Sequence, residues 1–224
     1  MRWSTRWQTL TLLAVIGLLA ACTREGPLEG ENTTSRPAGR TRVLVTYYSS
    51  TGTTRNLAEA VAEGVRSVKD AEAALKPISE VRAGDLLEAD GVVVGSPVYY
   101  GNMASPVKKF FEDWTVEFGF YPEQKMAFKP GAAFATGHRA SGGKEMVIHS
   151  IGAAFLNAGM IVVGGWETAG ASATGEGKEA GRETELLPHE YRDGYDLGRR
   201  AATVAAALKG RLRKPPAASG AGAR

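Results

Sequence analysis

Short apolar runs alternate with helix-type patterns through the middle of this chain, and this alternation limits the possible folds more than any other feature. The runs are 43–47, 73–76, 91–95, 132–135 and 161–163. The third run reads Gly-Val-Val-Val-Gly and is apolar on both faces, as a central strand of a parallel sheet must be. Such a βαβ series predicts an α/β domain with a doubly wound, five-stranded parallel sheet covered by helices on both faces.

The intervening segments place apolar side chains on one helical face, at spacings of three and four residues. The predicted faces comprise Leu57, Val61, Val65 and Val68; Val107, Phe110, Phe111 and Trp114; Val147, Ile151, Ala154 and Phe155; and Leu197, Ala201, Val204 and Leu208. The stretch 164–187 is glycine-rich and polar, so we predict a loop there, over one sheet edge or over the site.

The amino terminus differs from the rest of the chain. Arg2 and Arg6 precede an apolar run, 10–21, that is too short to span a bilayer but has the length of a secretory signal. It ends in Leu-Ala-Ala-Cys, which resembles the lipobox of bacterial lipoproteins. The resemblance implies a signal peptide over 1–21, a lipidated Cys22 and a membrane-anchored protein on the periplasmic side of the cell envelope. An ordinary signal peptide with a chance cysteine is the alternative.

Composition divides the remainder into a tether, a domain and a tail. We predict that residues 22–42 form a flexible tether, that 43–209 form the folded domain and that 210–224 form a disordered basic tail. Residues 43–208 hold 16 basic and 21 acidic side chains, so the domain is mildly acidic and nothing indicates nucleic-acid binding. Cys22 is the only cysteine, so lipidation would leave no thiol for a disulfide, a metal site or a nucleophile.

Ligands of an open parallel sheet bind beyond the carboxyl ends of the strands, and the loop after the first run has an unusual composition. Its residues are Ser49, Ser50, Thr51, Gly52, Thr53 and Thr54. Small hydroxyl side chains, backbone N–H groups and a helix start suit a small anion. The loop has no lysine and no Walker pattern, which favours a terminal monoester phosphate over a triphosphate. An ordinary Ser/Thr helix cap is the alternative.

Two further loops follow the third and fourth runs. The second loop, 96–103, is predicted to form a rigid wall for a flat aromatic ligand, with one of its two tyrosines packed in the core. Its candidate ligand-binding residues are Pro97, Val98, Tyr99, Tyr100, Gly101 and Asn102. The third loop, 135–143, is glycine-rich and allows close backbone approach to a carbonyl edge or a developing anion. Its candidates are Thr136, Gly137, His138, Ser141, Gly142 and Gly143.

These motifs resemble known flavoproteins. The segment Tyr-Ser-Ser-Thr-Gly-Thr-Thr at 48–54 resembles the phosphate loop of flavodoxins. Gly-Ser-Pro at 95–97 through Gly-Asn-Met at 101–103 resembles WrbA-type NAD(P)H:quinone oxidoreductases, as does Gly-Ala-Ser at 170–172. The resemblance implies a flavodoxin-like fold with strand order 2-1-3-4-5 and FMN as cofactor. It would place the FMN phosphate at 49–54, the isoalloxazine at 98–100 and its pyrimidine edge at 136–143.

The implied activity is the FMN-dependent, two-electron reduction of a quinone or similar acceptor by NAD(P)H. We expect backbone donors of the third loop to stabilise negative charge on the flavin, without a catalytic side chain and without a metal. Thr51 and Asn157 depart from the family, which has an aromatic residue and a histidine there. The alternative is a flavodoxin-type electron carrier that docks on a membrane redox protein. A homo-oligomer is a further implication of the resemblance.

Overall fold

The computed structural model describes residues 39–175 and 185–211 of the 224-residue chain. The strands are β1 (Thr41–Tyr47), β2 (Ala71–Pro77), β3 (Gly91–Tyr99), β4 (Asn102–Met103), β5 (Pro130–Gly137), β6 (Ile161–Val162) and β7 (Ala171–Thr174). The α-helices are α1 (Thr53–Arg66), α2 (Ala83–Glu88), α3 (Ser105–Val116), α4 (Lys144–Asn157) and α5 (Pro188–Leu208), with a 3₁₀ turn at Ile78–Glu80. The predicted signal peptide, most of the tether and most of the tail lie outside the described residues.

The strands form one sheet in the order β2-β1-β3-β5-β6, with every neighbouring pair in this path parallel. The short strand β4 pairs antiparallel with β3 and lies outside this path. Without β4 the order is 2-1-3-4-5, which confirms the predicted doubly wound α/β fold.

The fifth strand is split into two pieces. Strand β6 pairs with Pro130 and Gly131 at the start of β5, whereas β7 pairs with residues 134–137 at its end. The prediction of a loop over all of 164–187 is therefore wrong at β7. Gly170 allows the chain to return to the sheet, because a Cβ there would lie 2.2 Å from the carbonyl oxygen of Ala133. Residues 176–184 are not among those described.

Apolar side chains fill the space on both sides of the sheet. One cluster includes Leu44, Val92, Val94 and Ile151, and the other includes Val43, Val45, Val93 and Leu197. Neighbouring residues of β1 and β3 therefore point into opposite clusters, and both faces are covered. No helix in the described ranges has the length and apolarity needed to cross a membrane.

The domain begins earlier in the chain than predicted. Thr41 and Arg42, assigned above to the tether, pair with Ala71 and Glu72 of β2. The backbone N–H of Arg42 donates to Asp90 Oδ2 over 2.8 Å. Composition alone does not predict this extension, because threonine and arginine are also common in polar tethers.

Helices α1 and α5 pack closely on one face of the sheet, and glycines allow the approach. A Cβ on Gly64 would lie 1.9 Å from the carbonyl oxygen of Tyr195, and a Cβ on Gly198 would lie 1.9 Å from that of Val61. Both distances are shorter than any real contact, so the backbones meet without intervening side chains. Because α1 starts at the first candidate loop, this packing also fixes the position of that loop.

We predict that Gly198→Ala lowers the free energy of unfolding by about 2–3 kcal/mol, because the added methyl group forces the two helices apart. The matched control is Gly84→Ala in α2, where no atom lies within 4 Å of the added Cβ. The control should be neutral or stabilise by up to about 1 kcal/mol. Urea unfolding followed by circular dichroism measures both, and equal stability of the two variants would contradict the packing argument.

Candidate functional site

The first candidate loop connects β1 to α1 at the carboxyl edge of the sheet. Gly52 lies at the N-cap of α1 with φ 98°, a conformation that other residues rarely adopt. Its backbone N–H donates to Ser49 Oγ over 3.0 Å, which closes the loop into a compact turn. The N–H groups at the start of a helix point outward along its axis, so the start of α1 is suited to an anion bound at this turn.

The hydroxyl side chains of this loop divide between solvent and protein. Ser50 and Thr51 are exposed, whereas Thr54 is 2% exposed. The Oγ1 atoms of Thr54 and Thr136 lie 2.8 Å apart and share a hydrogen bond. Both residues were predicted to contact a ligand; the structure shows that their hydroxyls join the first loop to the end of β5.

The second candidate loop is a β-hairpin. Residues 96–99 continue β3 instead of forming a loop, and β4 returns beside them. Tyr100 and Gly101 form the tip with φ values of 49° and 77°, typical of a two-residue hairpin turn. The backbone N–H of Ala104 donates to Ser96 Oγ over 2.9 Å and fixes the base of the hairpin. Pairing with β4 extends the strand through 96–99. Proline and glycine in this segment favour a turn, so the sequence does not indicate that pairing.

Both tyrosines of the hairpin are exposed, so the expectation that one is packed in the core is wrong. Tyr99 is 42% exposed and Tyr100 is 109% exposed. The hydroxyls of Tyr99 and Ser50 are 2.6 Å apart, and the Tyr99 ring meets the Tyr48 ring edge-on at 6.3 Å. The hairpin therefore lies against the first loop. Asn102 is exposed, with its Oδ1 accepting from the N–H of Met103.

The third candidate loop is shorter than predicted. Ala135, Thr136 and Gly137 belong to β5, so the loop comprises residues 138–143. His138 and Ser141 are exposed, while Gly142 and Gly143 are half-buried.

Gly143 brings the third loop against the hairpin. It has φ 93° at the N-cap of α4, and a Cβ on it would lie 3.2 Å from the carbonyl oxygen of Gly101. The third loop thus meets the hairpin tip, and all three loops lie at one end of the sheet.

Two buried charged residues support this end and were missed by the sequence analysis. Lys144 is 4% exposed; its Nζ donates to the carbonyl oxygens of Arg139 and Ala140, both at 3.3 Å, and to Thr174 Oγ1. Glu190 is 2% exposed and accepts from the N–H groups of Thr174 at 2.6 Å and Leu187 at 2.9 Å. Together they fix the third loop, the end of β7 and the start of α5.

The only available signal for Lys144 was its position directly after the glycine-rich loop. Periodicity does not mark it, because lysines on helices are normally exposed and a buried ammonium needs several acceptors that only the folded chain supplies. Glu190 is the third residue of a helix that starts with proline. Glutamate at this position commonly accepts a hydrogen bond from the N-cap backbone, which is a weak indication of its role.

The electrostatics of the site favour an anionic ligand. The segments 48–54, 96–103 and 136–143 contain no acidic residue and offer hydroxyl and backbone donors. The buried Lys144 and Glu190 both bond Thr174, so their opposite charges lie near each other next to the third loop. Burial raises the pKa of the Tyr47 phenol at the end of β1 above its ordinary value. Within the described residues, no cluster of His, Cys, Asp or Glu is suited to a metal ion.

Comparison with known proteins identifies relatives with these features. Residues 69–175 match the family model described as NADPH-dependent FMN reductase. The NAD(P)H dehydrogenase (quinone) of Geobacter sulfurreducens is 31% identical over 208 residues, covering 75% of this chain and 99% of that protein. The protein of the same name from Chromohalobacter salexigens is 35% identical over 144 residues, covering 55% of this chain and 70% of that protein.

A flavodoxin is also among the relatives. The flavodoxin of Aquifex aeolicus is 37% identical over 123 residues, which cover 55% of this chain and 64% of that protein. Among solved structures, a WrbA-like flavodoxin from Agrobacterium tumefaciens superposes with a TM-score of 0.60 at 23% identity, covering 74% of this chain and 97% of that one. At that identity the structural likeness supports the fold alone.

Proposed function

We propose that this chain, which belongs to the NAD(P)H dehydrogenase (quinone) family, reduces a quinone or similar acceptor with NAD(P)H at the cell envelope. It is an FMN-dependent oxidoreductase. The observation that carries the proposal is the convergence of three carboxylate-free loops, held together by the hydrogen bonds of Ser50 with Tyr99 and of Thr54 with Thr136. Reduction of the acceptor balances as NAD(P)H plus a proton and quinone giving NAD(P)⁺ and quinol.

The donor set of the first loop fits the phosphate of FMN. Ser49 holds the turn through Gly52, the hydroxyl of Thr51 is exposed beside it, and the start of α1 is directed at the same place, where phosphate oxygens would bind. The partial positive charge of the helix start favours the dianion. No cation is needed in the loop, because several neutral donors and the helix end share the phosphate charge.

The hairpin and the third loop fit the ring system of FMN. The exposed Tyr99 ring offers an aromatic face or edge at the wall of the site. Lys144, at the start of α4, donates to the carbonyl oxygens of Arg139 and Ala140 and so orders the third loop for contact with the ring. When bound, FMN supplies the chemistry of accepting a hydride and passing on two electrons.

A flavodoxin-type electron carrier is the second candidate, favoured by the Aquifex aeolicus relative. A carrier would exchange electrons with a redox protein instead of with NAD(P)H. The exposed tyrosines at the hairpin are compatible with either role. A redox protein partner and a homo-oligomeric state remain predictions from the resemblance.

The envelope location rests on the amino-terminal sequence. We propose that residues 1–21 are removed and that Cys22 carries the lipid anchor, since the apolar run and Leu-Ala-Ala-Cys have the order of a lipoprotein signal. Two or more acyl chains would hold the protein stably on the membrane. Quinones reside in that membrane, so the anchor would place the enzyme beside its acceptor.

We expect Thr51→Asp to weaken FMN binding by about 100-fold or more, because it places a carboxylate beside the phosphate in the first loop. The matched control is Thr51→Asn, which has the same shape without the charge. Riboflavin lacks the phosphate, so both variants should bind it as the unsubstituted protein does. Fluorescence titration measures these affinities, and equal loss of FMN and riboflavin in Thr51→Asp would contradict the phosphate assignment.

NAD(P)H should reduce the FMN-loaded protein directly under anaerobic conditions, seen as loss of absorbance near ~450 nm, and an added quinone should restore the absorbance. Thr51→Asp protein with the same total FMN is the control for free flavin. Absence of reduction by both NADH and NADPH, with reduction by an electron-transfer protein, would establish the carrier instead.

Cys22→Ser should release the protein from the membrane fraction of cells that produce it, since the lipidated thiol is lost. Thr23→Ser changes the adjacent residue and should leave the protein in the membrane fraction. Immunoblots of fractionated cells measure both. Retention of the Cys22→Ser variant would exclude the lipid anchor.

A further inference from the structure

A groove borders the hairpin and shares Val98, Tyr99, Tyr100 and Asn102 with the proposed cofactor site. Its volume is about 1530 Å³, and it runs between the hairpin, α3, the segment 117–126 and α4. Ligand pockets for small molecules occupy roughly 300–1,000 Å³. The groove is therefore larger than a single quinone ring requires.

Side-chain size explains why the groove is open. Helix α4 faces it with Ser150, Ala153, Ala154 and Asn157, which recur at helical spacings of three and four residues. Because these side chains are small, α4 leaves space towards α3 along this face, although the rings of Phe111 and Phe155 on the two helices meet edge-on at 5.5 Å.

The interior of the groove is apolar. Trp114, Phe120 and Met126 line it and are at most 5% exposed, so they form a fixed hydrophobic floor. Three lysines line the rim: Lys108 and Lys109 pair within α3, and Lys125 lies over the Phe120 ring at 5.9 Å. Lys108 Nζ bonds Glu112 at 2.5 Å, and Lys109 Nζ bonds Asp113 at 2.7 Å. The apolar floor favours an uncharged, hydrocarbon-like ligand.

The groove is continuous with the cofactor site through the hairpin. Tyr99, Tyr100 and Asn102 line the groove, and Tyr99 also bonds Ser50 of the first loop. Because Tyr99 belongs to both, a ring that reacts at the hairpin would have its attached chain beside the groove.

From this arrangement we infer that the groove binds the isoprenoid tail of a membrane quinone, so the substrate class is a tailed quinone and not a water-soluble ring alone. The inference rests on the proposed quinone reductase function. Each buried methylene of such a tail contributes about 0.8 kcal/mol in transfer from water. The alternative occupant of the groove is a second copy of the chain. The experiments below distinguish the two occupants.

The first experiment compares 2,3-dimethoxy-5-methyl-1,4-benzoquinone with the same ring carrying two isoprene units, as acceptors for the FMN-loaded full-length protein. We expect a KM at least tenfold lower for the tailed quinone. Ala153→Trp fills the groove and should raise that KM about tenfold, with the ring-only KM changed less than twofold. Leu156→Trp is the matched control, because Leu156 is 64% exposed on the same helix and does not line the groove.

The second experiment measures binding without the reaction. Calorimetry with farnesol, which has the tail and no quinone ring, should show binding to the unsubstituted protein and to Leu156→Trp, and none to Ala153→Trp. If farnesol binds in this pattern but no quinone is reduced, the proposed function fails and the groove assignment stands. If quinones are reduced with equal KM, and farnesol does not bind, the groove assignment is overturned. A change of oligomeric state in Ala153→Trp without farnesol binding would assign the groove to a second copy.

Discussion

The parallel register of β1, β3 and β5 is the constraint on which the site depends. Tyr47 pairs with Gly95, and Pro97 pairs with Thr136, so the three strands deliver their carboxyl ends to one edge. Strand register alone therefore brings the first loop, the hairpin and the third loop together, independently of side-chain contacts. The hydrogen bond between Thr54 and Thr136 then holds α1 to β5 at a fixed distance.

The fold could be predicted from the sequence because the apolar residues follow the periods of β-strands and α-helices. The prediction was wrong at the ends of strands. Residues 96–99 and 135–137 contain small or turn-forming residues, yet pairing with neighbouring strands extends β3 and β5 through them. It also failed at β7, where the polar segment Ala-Ser-Ala-Thr is a strand only because β5 offers a free edge.

The candidate site was predictable to the level of loops, since hydroxyl, aromatic and glycine residues cluster after the correct strands. The roles within it were not. Thr54 and Thr136 bond each other, and Lys144 and Glu190 become important only when Thr174 lies between them. The groove could not be predicted from the sequence either. Small residues occur on many helices, and those on α4 leave a groove only because α3 packs across from them.

The fifth strand of the sheet is divided into β6 and β7, and the two pieces have different roles. Strand β6 closes the beginning of β5, while β7 carries Thr174 to the buried lysine and glutamate. The connection between them reaches outward, with Trp166 73% exposed beneath the guanidinium of Arg200. The connection is held to α5 and not to the ligand loops, because Arg200 Nε also donates to the carbonyl oxygen of Gly164.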